Sequence, residues 1–278
     1  MPKQTSERSS TIPTVPRDAS DVRLSVRAIT KTYGGVTAVD DVSFDLGSGM
    51  VLGLVGPNGA GKTTLVDCIV GSQNASSGSV LLDGTELRAG PERRAQAGVA
   101  RTFQHPQLAH ELTPVENILC GLVGRSISSY WASLGAFIKG IGGSPTADLQ
   151  HCRSLAREYG VTELDAPSGS LSLGAQRLVE IARAMAAEPR VLFLDEPFAG
   201  SDPDGIAAIS KAIHQAKDSG SPVVLVDHNV DLVAELSDRV ILLAQGAMAF
   251  DGDPQDCMRS PEMQAVYFGT STEGENDD

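Results

Sequence analysis

The sequence predicts an α/β domain with an antiparallel β portion at its front and a helical insertion in its middle. Three observations lead there. First, short apolar runs at 50–55, 191–194, 223–226 and 240–243 are separated by helical stretches. Runs without polar alternation suit strands buried on both faces, and their alternation with helices indicates a parallel sheet built from βαβ units. Second, the first third alternates as half-buried strands do. Val22, Leu24 and Val26 sit two apart, and so do Val42, Phe44 and Leu46. Third, the stretch from about 105 to 187 turns helical in period. There Leu178, Ile181, Ala182 and Met185 fall on one helix face, and Ala184, Ala186 and Ala187 favour helix.

The elements follow in order. Residues 1–20 carry three Pro and seven Ser/Thr without an apolar run, and read as a disordered leader rather than a secretory signal. The ordered domain is expected over 21–268. Gly47-Ser48-Gly49 predicts a turn before the buried run Met50-Val51-Leu52-Gly53-Leu54-Val55. A glycine-rich loop and a helix from Thr64 to Val70 come next. Val80-Leu81-Leu82 is a strand closed by the turn signal Asp83-Gly84. Helices are expected over about 204–218 and 230–237 between the late strands. Residues 269–278, with Glu273, Glu275, Asp277 and Asp278, read as a solvated acidic tail.

Composition narrows the classes. The 278 residues include 22 basic and 35 acidic ones, a net charge of −13. That balance argues against a general nucleic-acid binder, which needs a basic face. Hydrophobic residues make up 41%, enough for a sizeable core. The longest aliphatic runs, such as Val240-Ile241-Leu242-Leu243-Ala244, fall far short of the roughly 20 residues of a membrane span. Cys68, Cys120, Cys152 and Cys257 are widely spaced and suit neither a zinc site nor a disulfide framework, so a reducing compartment is expected.

Chemistry concentrates first in Gly56-Pro57-Asn58-Gly59-Ala60-Gly61-Lys62-Thr63, which fits G-x-x-x-x-G-K-[ST]. Glycines let backbone N–H groups turn inward around phosphates, and the following helix presents its positive end. Lys62 is placed to reach the β- and γ-phosphates. The Thr63 hydroxyl is placed to ligate Mg²⁺, and Thr64 extends the cradle. The strand before the loop and the helix after it separate this pattern from a chance glycine-rich turn.

A second site lies at the end of Val191-Leu192-Phe193-Leu194, where Asp195 and Glu196 follow. Open α/β sheets bind ligands at the carboxyl ends of their strands. Asp195 suits a Mg²⁺ shell. Glu196, one residue on, points elsewhere and suits the polarisation of an attacking water. His228 follows Val223-Val224-Leu225-Val226-Asp227 at the end of another strand, which favours a γ-phosphate contact. A lone histidine is ordinarily structural or exposed, and His105, His110, His151 and His214 are assigned that role.

Together these pieces resemble the ATP-binding cassette (ABC) family of ATPases, over about 22–268. The resemblance implies a P-loop NTPase (RecA-like) core with an antiparallel β subdomain and an inserted α-helical subdomain. It implies ATP and Mg²⁺ as ligands and ATP hydrolysis as the activity. Within it, Tyr33 in Lys31-Thr32-Tyr33-Gly34-Gly35 resembles the aromatic residue that stacks on adenine. Gln104 in Arg101-Thr102-Phe103-Gln104 resembles the glutamine that contacts Mg²⁺ and water. Leu171-Ser172-Leu173-Gly174-Ala175 sits at the signature motif, so Ser172 and Gly174 are expected on a γ-phosphate held by a second cassette. Asp202 in Ala199-Gly200-Ser201-Asp202-Pro203 resembles the loop that couples two cassettes, and His228 the switch histidine. Leu173 and Ala175 depart from the usual Leu-Ser-Gly-Gly-Gln, and Ser201 replaces the commoner Leu.

Finer similarity points to the subgroup that energises import of branched-chain amino acids and related solutes. It rests on Tyr33-Gly34-Gly35-Val36-Thr37-Ala38-Val39, Gly98-Val99-Ala100-Arg101-Thr102-Phe103-Gln104 and Glu111-Leu112-Thr113-Pro114-Val115-Glu116-Asn117. The resemblance implies transmembrane permease subunits, a second cassette, and indirectly a solute-binding protein, at the cytoplasmic face of the membrane. No nucleic-acid partner is expected. Tyr130, Trp131, Phe137 and Ile138 form an aromatic cluster, read as a helix packing on its own subdomain rather than on a membrane partner.

Overall fold

A computed structural model describes residues 21–88, 90–102, 106–126 and 145–268. The expected leader, the acidic tail, Gln104, His105 and the cluster Tyr130, Trp131, Phe137 and Ile138 lie outside the described residues.

The chain opens with long antiparallel strands β1 (Val22–Tyr33) and β2 (Val36–Gly47), followed by β3 (Val51–Val55) and helix α1 (Lys62–Val70). Strands β4 (Ser77–Leu82) and β5 (Thr85–Glu86) complete a four-stranded sheet in the order β2-β1-β4-β5. Asp83 and Gly84 join them with φ of 47° and 73°. Both values are positive, as a two-residue type I′ hairpin requires. Helix α2 (Pro91–Ala97) leads to β6 (Val99–Arg101). Helices α3 (Pro114–Ser126), α4 (Pro145–Glu158) and α5 (Leu173–Ala186) form the helical middle. Then come β7 (Val191–Asp195), α6 (Pro203–Asp218), β8 (Val223–Val226), α7 (Val230–Leu236), β9 (Arg239–Ala244) and β10 (Ala247–Gly252). Helices α8 (Pro254–Arg259) and α9 (Pro261–Phe268) follow.

The second sheet has the order β10-β9-β3-β8-β7-β6. Every pair is parallel except β10 with β9. The sequence runs for β3, β7, β8 and β9 correspond to its four central strands. The physical reason for their unbroken apolarity is visible in the packing. Alternate residues of each strand enter opposite cores: Leu192 and Leu194 of β7 face one cluster, Val191 and Phe193 the other. Val223 and Leu225 of β8 separate from Val224 and Val226 in the same way. One core packs the sheet on α1 and the antiparallel sheet; the other packs it on α5, α6 and α7. Gly53 breaks the apolar run of β3 because a Cβ there would stand 2.5 Å from Val233 of α7. The two sheets are joined by an Asp40 N–H donating to Gly246 O (2.8 Å) and by Arg239, which donates to Asp45 O and pairs with Asp251.

The segment Thr113-Pro114-Val115-Glu116-Asn117 proves to be a helix start. Thr113 caps α3: its Oγ1 accepts from Glu116 N–H, while the Glu116 carboxylate accepts from Thr113 N–H at 2.8 Å. This is a reciprocal capping box, with Pro114 at the first helical position. Asn117 is 1% exposed. Its Oδ1 accepts from Ala109 N–H (2.9 Å), and its Nδ2 donates to Ser168 Oγ (3.0 Å) and to the Ala109, Leu112 and Thr113 carbonyls. One side chain thus ties the entry to α3 to the turn before α5. Replacing Asn117 by Ala is expected to lower unfolding free energy by about 1–3 kcal/mol, since buried partners lose their bonds. A urea titration followed by circular dichroism checks this.

Candidate nucleotide site

Strand β3 is buried throughout and delivers the chain to Gly56. The loop from Gly56 to Gly61 is wedged against two neighbours. A Cβ on Gly56 would stand 2.3 Å from Leu243 O of β9, and one on Gly61 would stand 2.3 Å from Ala38 O of β2. Both residues also hold positive φ, 148° and 99°. Glycine is therefore required at both positions for space and for conformation. Gly59 has open space around it instead.

Helix α1 begins at Lys62 with no acidic residue and no side-chain cap in its first turn. Its positive end is left to face the loop. The Lys62 ammonium donates to Gly56 O (2.6 Å) and Pro57 O (3.1 Å). Burial lowers its pKa; the carboxylates of Glu196, Asp195 and Asp227 act in the opposite sense. Those three acids stand at the ends of β7 and β8; β8 lies next to β3, and β7 next to β8. The sheet order thus gathers Gly56–Lys62, Asp195, Glu196 and Asp227 at one edge.

The acids differ in environment. Asp195 is 8% exposed and accepts from Arg101 Nη2 at 2.7 Å. Glu196 has φ of 48°, a left-handed backbone on a residue with a side chain, held by Glu196 N–H donating to Val226 O at 2.7 Å. Such strain costs on the order of 1–3 kcal/mol and concentrates at functional sites. Asp227 is 2% exposed; its Oδ1 accepts from Asn229 N–H, and its Oδ2 is buried with no hydrogen-bond partner among the described residues. Burial pushes the Asp227 carboxyl above its ordinary range. His228 points outward with its side chain 68% exposed, its Nδ1 3.6 Å from Asp227.

Other predicted residues fall in two further places. Tyr33 ends β1 beside the Gly34-Gly35 turn, 46% exposed, with the Lys31 ammonium 4.7 Å from its ring centre. An exposed aromatic face of this kind can stack on a flat base. Ser172 caps α5, its Oγ accepting from Ala175 N–H (3.2 Å). Asp202 caps α6, its Oδ1 accepting from Gly205 N–H (2.8 Å). Gly174 and Gly205 pack the two helix starts together, since a Cβ on Gly174 would lie 3.1 Å from Gly205 Cα. Leu173, 48% exposed, lies over the bare backbone of Gly200, where a Cβ would meet it at 2.9 Å. The two departures from the usual signature therefore differ in effect: Leu173 adds apolar surface, while Ala175 contributes only its backbone N–H to the cap.

Three side chains at the site carry no motif of their own in the sequence. They are Arg101, Asp227 and Tyr267, whose hydroxyl accepts from Gly56 N–H at 3.1 Å. Tyr267 belongs to α9, 211 residues from the loop it holds. Only its place in a short helix near the end of the domain could have drawn notice. A cleft of about 930 Å³ also opens between α2, β6 and α5, bordered by Pro91, Arg101, Gly121 and Arg183. It lies apart from the glycine loop.

The donor set fits a nucleotide triphosphate with its cation. Glycine-lined backbone, a helix N-terminus and an ammonium suit phosphates. The hydroxyl of Thr63 and the carboxylate of Asp195 are hard oxygen donors of the type Mg²⁺ takes. Substituting Tyr267 by Phe removes only the hydroxyl under Gly56. The expected loss is about 1 kcal/mol of stability, measured as a lower midpoint in thermal unfolding without nucleotide.

Comparison with known proteins gives the same direction. The ABC transporter family profile matches residues 39–199. The high-affinity branched-chain amino acid transport ATP-binding protein BraF of Pseudomonas aeruginosa is 34% identical over 252 residues, covering 88% of this chain and 97% of that protein. The lipopolysaccharide export system ATP-binding protein LptB of Escherichia coli is 33% identical over 250 residues, with coverage of 88% and 97%. A crystal structure of the ADP conformation of an ATP-binding cassette of an ABC transporter superposes with a TM-score of 0.76 at 28% identity, covering 89% of this chain and 99% of that one. The site geometry, the fold and these likenesses agree, and the chain belongs to the ABC transporter family of ATPases.

Proposed function

We propose that this chain is the ATP-hydrolysing subunit of an importer for branched-chain amino acids or a related small solute. The observation that carries the nucleotide reading is the gathering of Asp195, Glu196 and Asp227 around Lys62 at the ends of adjacent parallel strands. The import reading is supported by the likeness to BraF over nearly the whole domain.

In this reading the backbone of Gly56, Pro57, Asn58, Gly59, Ala60 and Gly61 surrounds the phosphates, and Lys62 and Thr64 reach them. Tyr33 stacks on adenine. Thr63, Asp195 and Gln104 hold Mg²⁺, which when bound neutralises charge on the β- and γ-phosphates. Glu196 orients and polarises the attacking water, and His228 contacts the γ-phosphate from the end of the neighbouring strand. Ser172 and Gly174 of a second cassette, with Asp202 beside them, complete the site. The chemistry is positioning and charge neutralisation. The strained backbone at Glu196 serves that positioning.

Among the described residues no helix is long and apolar enough to cross a membrane. The transport reading therefore requires separate permease subunits, with this chain at the cytoplasmic face of the membrane. A solute-binding protein would join only through those subunits. Export is the second reading, favoured by the 33% identity to LptB. The site residues are expected to serve either direction.

Two substitutions separate binding from chemistry. Lys62→Ala is expected to weaken ATP binding by more than tenfold through loss of a charge-assisted contact. Glu196→Gln should keep ATP binding and lose nearly all hydrolysis; normal turnover in that variant would contradict the assigned role. Direction is read by purifying the tagged chain from mildly solubilised membranes. Recovery with multi-span subunits, a sibling cassette and a solute-binding protein supports import, whereas recovery with envelope-export components or with ribosomal proteins contradicts it.

A further inference from the structure

Arg101 stands where three elements meet. It is the last residue of β6, the outermost strand of the parallel sheet. Its side chain is 14% exposed. One arm of the guanidinium pairs with Asp67 of α1, the helix that follows the glycine loop. The other arm donates to Asp195 Oδ2 at 2.7 Å. The next residue reinforces the same junction: Thr102 N–H donates to Phe193 O at 2.9 Å, and Asp195 N–H donates to Thr102 Oγ1 at 3.4 Å.

This arrangement exceeds what stability asks for. A buried ion pair roughly offsets its own desolvation, and apolar packing would hold three elements equally well. The planar fork of arginine reaches two carboxylates at once, which the single ammonium of a lysine does poorly. One of those carboxylates, Asp195, is the proposed Mg²⁺ ligand. Groups that hold a metal ligand from behind fix its rotamer and tune its affinity.

We propose that Arg101 is a positioning residue for the metal site: it fixes the Asp195 carboxylate and, through Asp67, sets it against the phosphate-loop helix. This rests on the reading of Asp195 as a Mg²⁺ ligand. Arg101 itself touches neither nucleotide nor metal. It acts on the site through Asp195.

The test is equilibrium binding of a fluorescent ATP analogue to the full chain, in Mg²⁺ and in EDTA. The quantity read is the ratio of the two affinities. The wild-type chain should bind more tightly in Mg²⁺. Arg101→Gln and Arg101→Lys are expected to reduce that ratio roughly tenfold or more, as removal of groups behind a metal ligand commonly does, while the EDTA affinity changes little. Asp67→Asn, which leaves the arm to Asp195 in place, should reduce it less. Should Arg101→Gln fail to fold, Arg101→Lys and Asp67→Asn decide. A wild-type ratio in folded Arg101→Lys and Arg101→Gln, with only thermal stability lowered, would overturn the proposal. Asp195→Asn distinguishes the two levels: if it keeps the wild-type ratio, the metal reading of Asp195 falls and this proposal with it. If Asp195→Asn loses the ratio while the Arg101 variants keep it, this proposal alone falls.

Discussion

Three parallel strands ending at the same edge make the site. β3, β8 and β7 lie side by side, so the glycine loop, Asp227 with His228, and Asp195 with Glu196 emerge together. Parallel pairing in turn demands burial of both sheet faces. The alternation of each central strand between two separate cores supplies that burial. The ammonium of Lys62 among three carboxylates is the electrostatic result. Burial pulls its pKa down while the acids oppose that pull.

Around that centre the structure keeps several locally unfavourable features. Gly56 and Gly61 have backbone conformations that other residues avoid, each pressed to within a methyl group's reach of a neighbouring carbonyl. Glu196 holds a left-handed backbone despite its side chain. Asp227 Oδ2 is buried without a partner among the described residues. All of these lie at one edge; left-handed backbone at non-glycine residues also occurs away from it, at Ala28, Asp41, Asp83, Glu188 and Gln245. The supports are equally local: Tyr267 under Gly56, Arg101 behind Asp195, and the Val226 carbonyl on Glu196.

The sequence announced the parts whose chemistry is local. The glycine loop is a contiguous pattern because backbone N–H groups must converge within one turn. The central strands are contiguous apolar runs because both their faces are covered. The turn at Asp83-Gly84 is a short-range device and sits where its residue types suggest. Long-range pairings were silent. Arg101 meets partners 34 and 94 residues away, and Tyr267 meets Gly56 across 211. A lone Arg or Tyr carries no spacing that reveals such a contact. Strand β6 is three residues long and β10 is an only partly buried hairpin arm, so neither shows a period clear enough to read. Ser172 and Asp202 show a different limit. Each makes a sufficient local bond as a helix cap, and their proposed role needs a second cassette.

If this sheet edge binds ATP and the signature segment of another cassette completes it, a structure of the Glu196→Gln chain with ATP and Mg²⁺ will contain both. Phosphates are expected within the Gly56–Thr64 loop and the cation between Thr63 and Asp195. Ser172 and Gly174 of a second copy or sibling cassette are expected at the γ-phosphate. Phosphates bound elsewhere, or a closed single chain with no second cassette at the γ-phosphate, would contradict it.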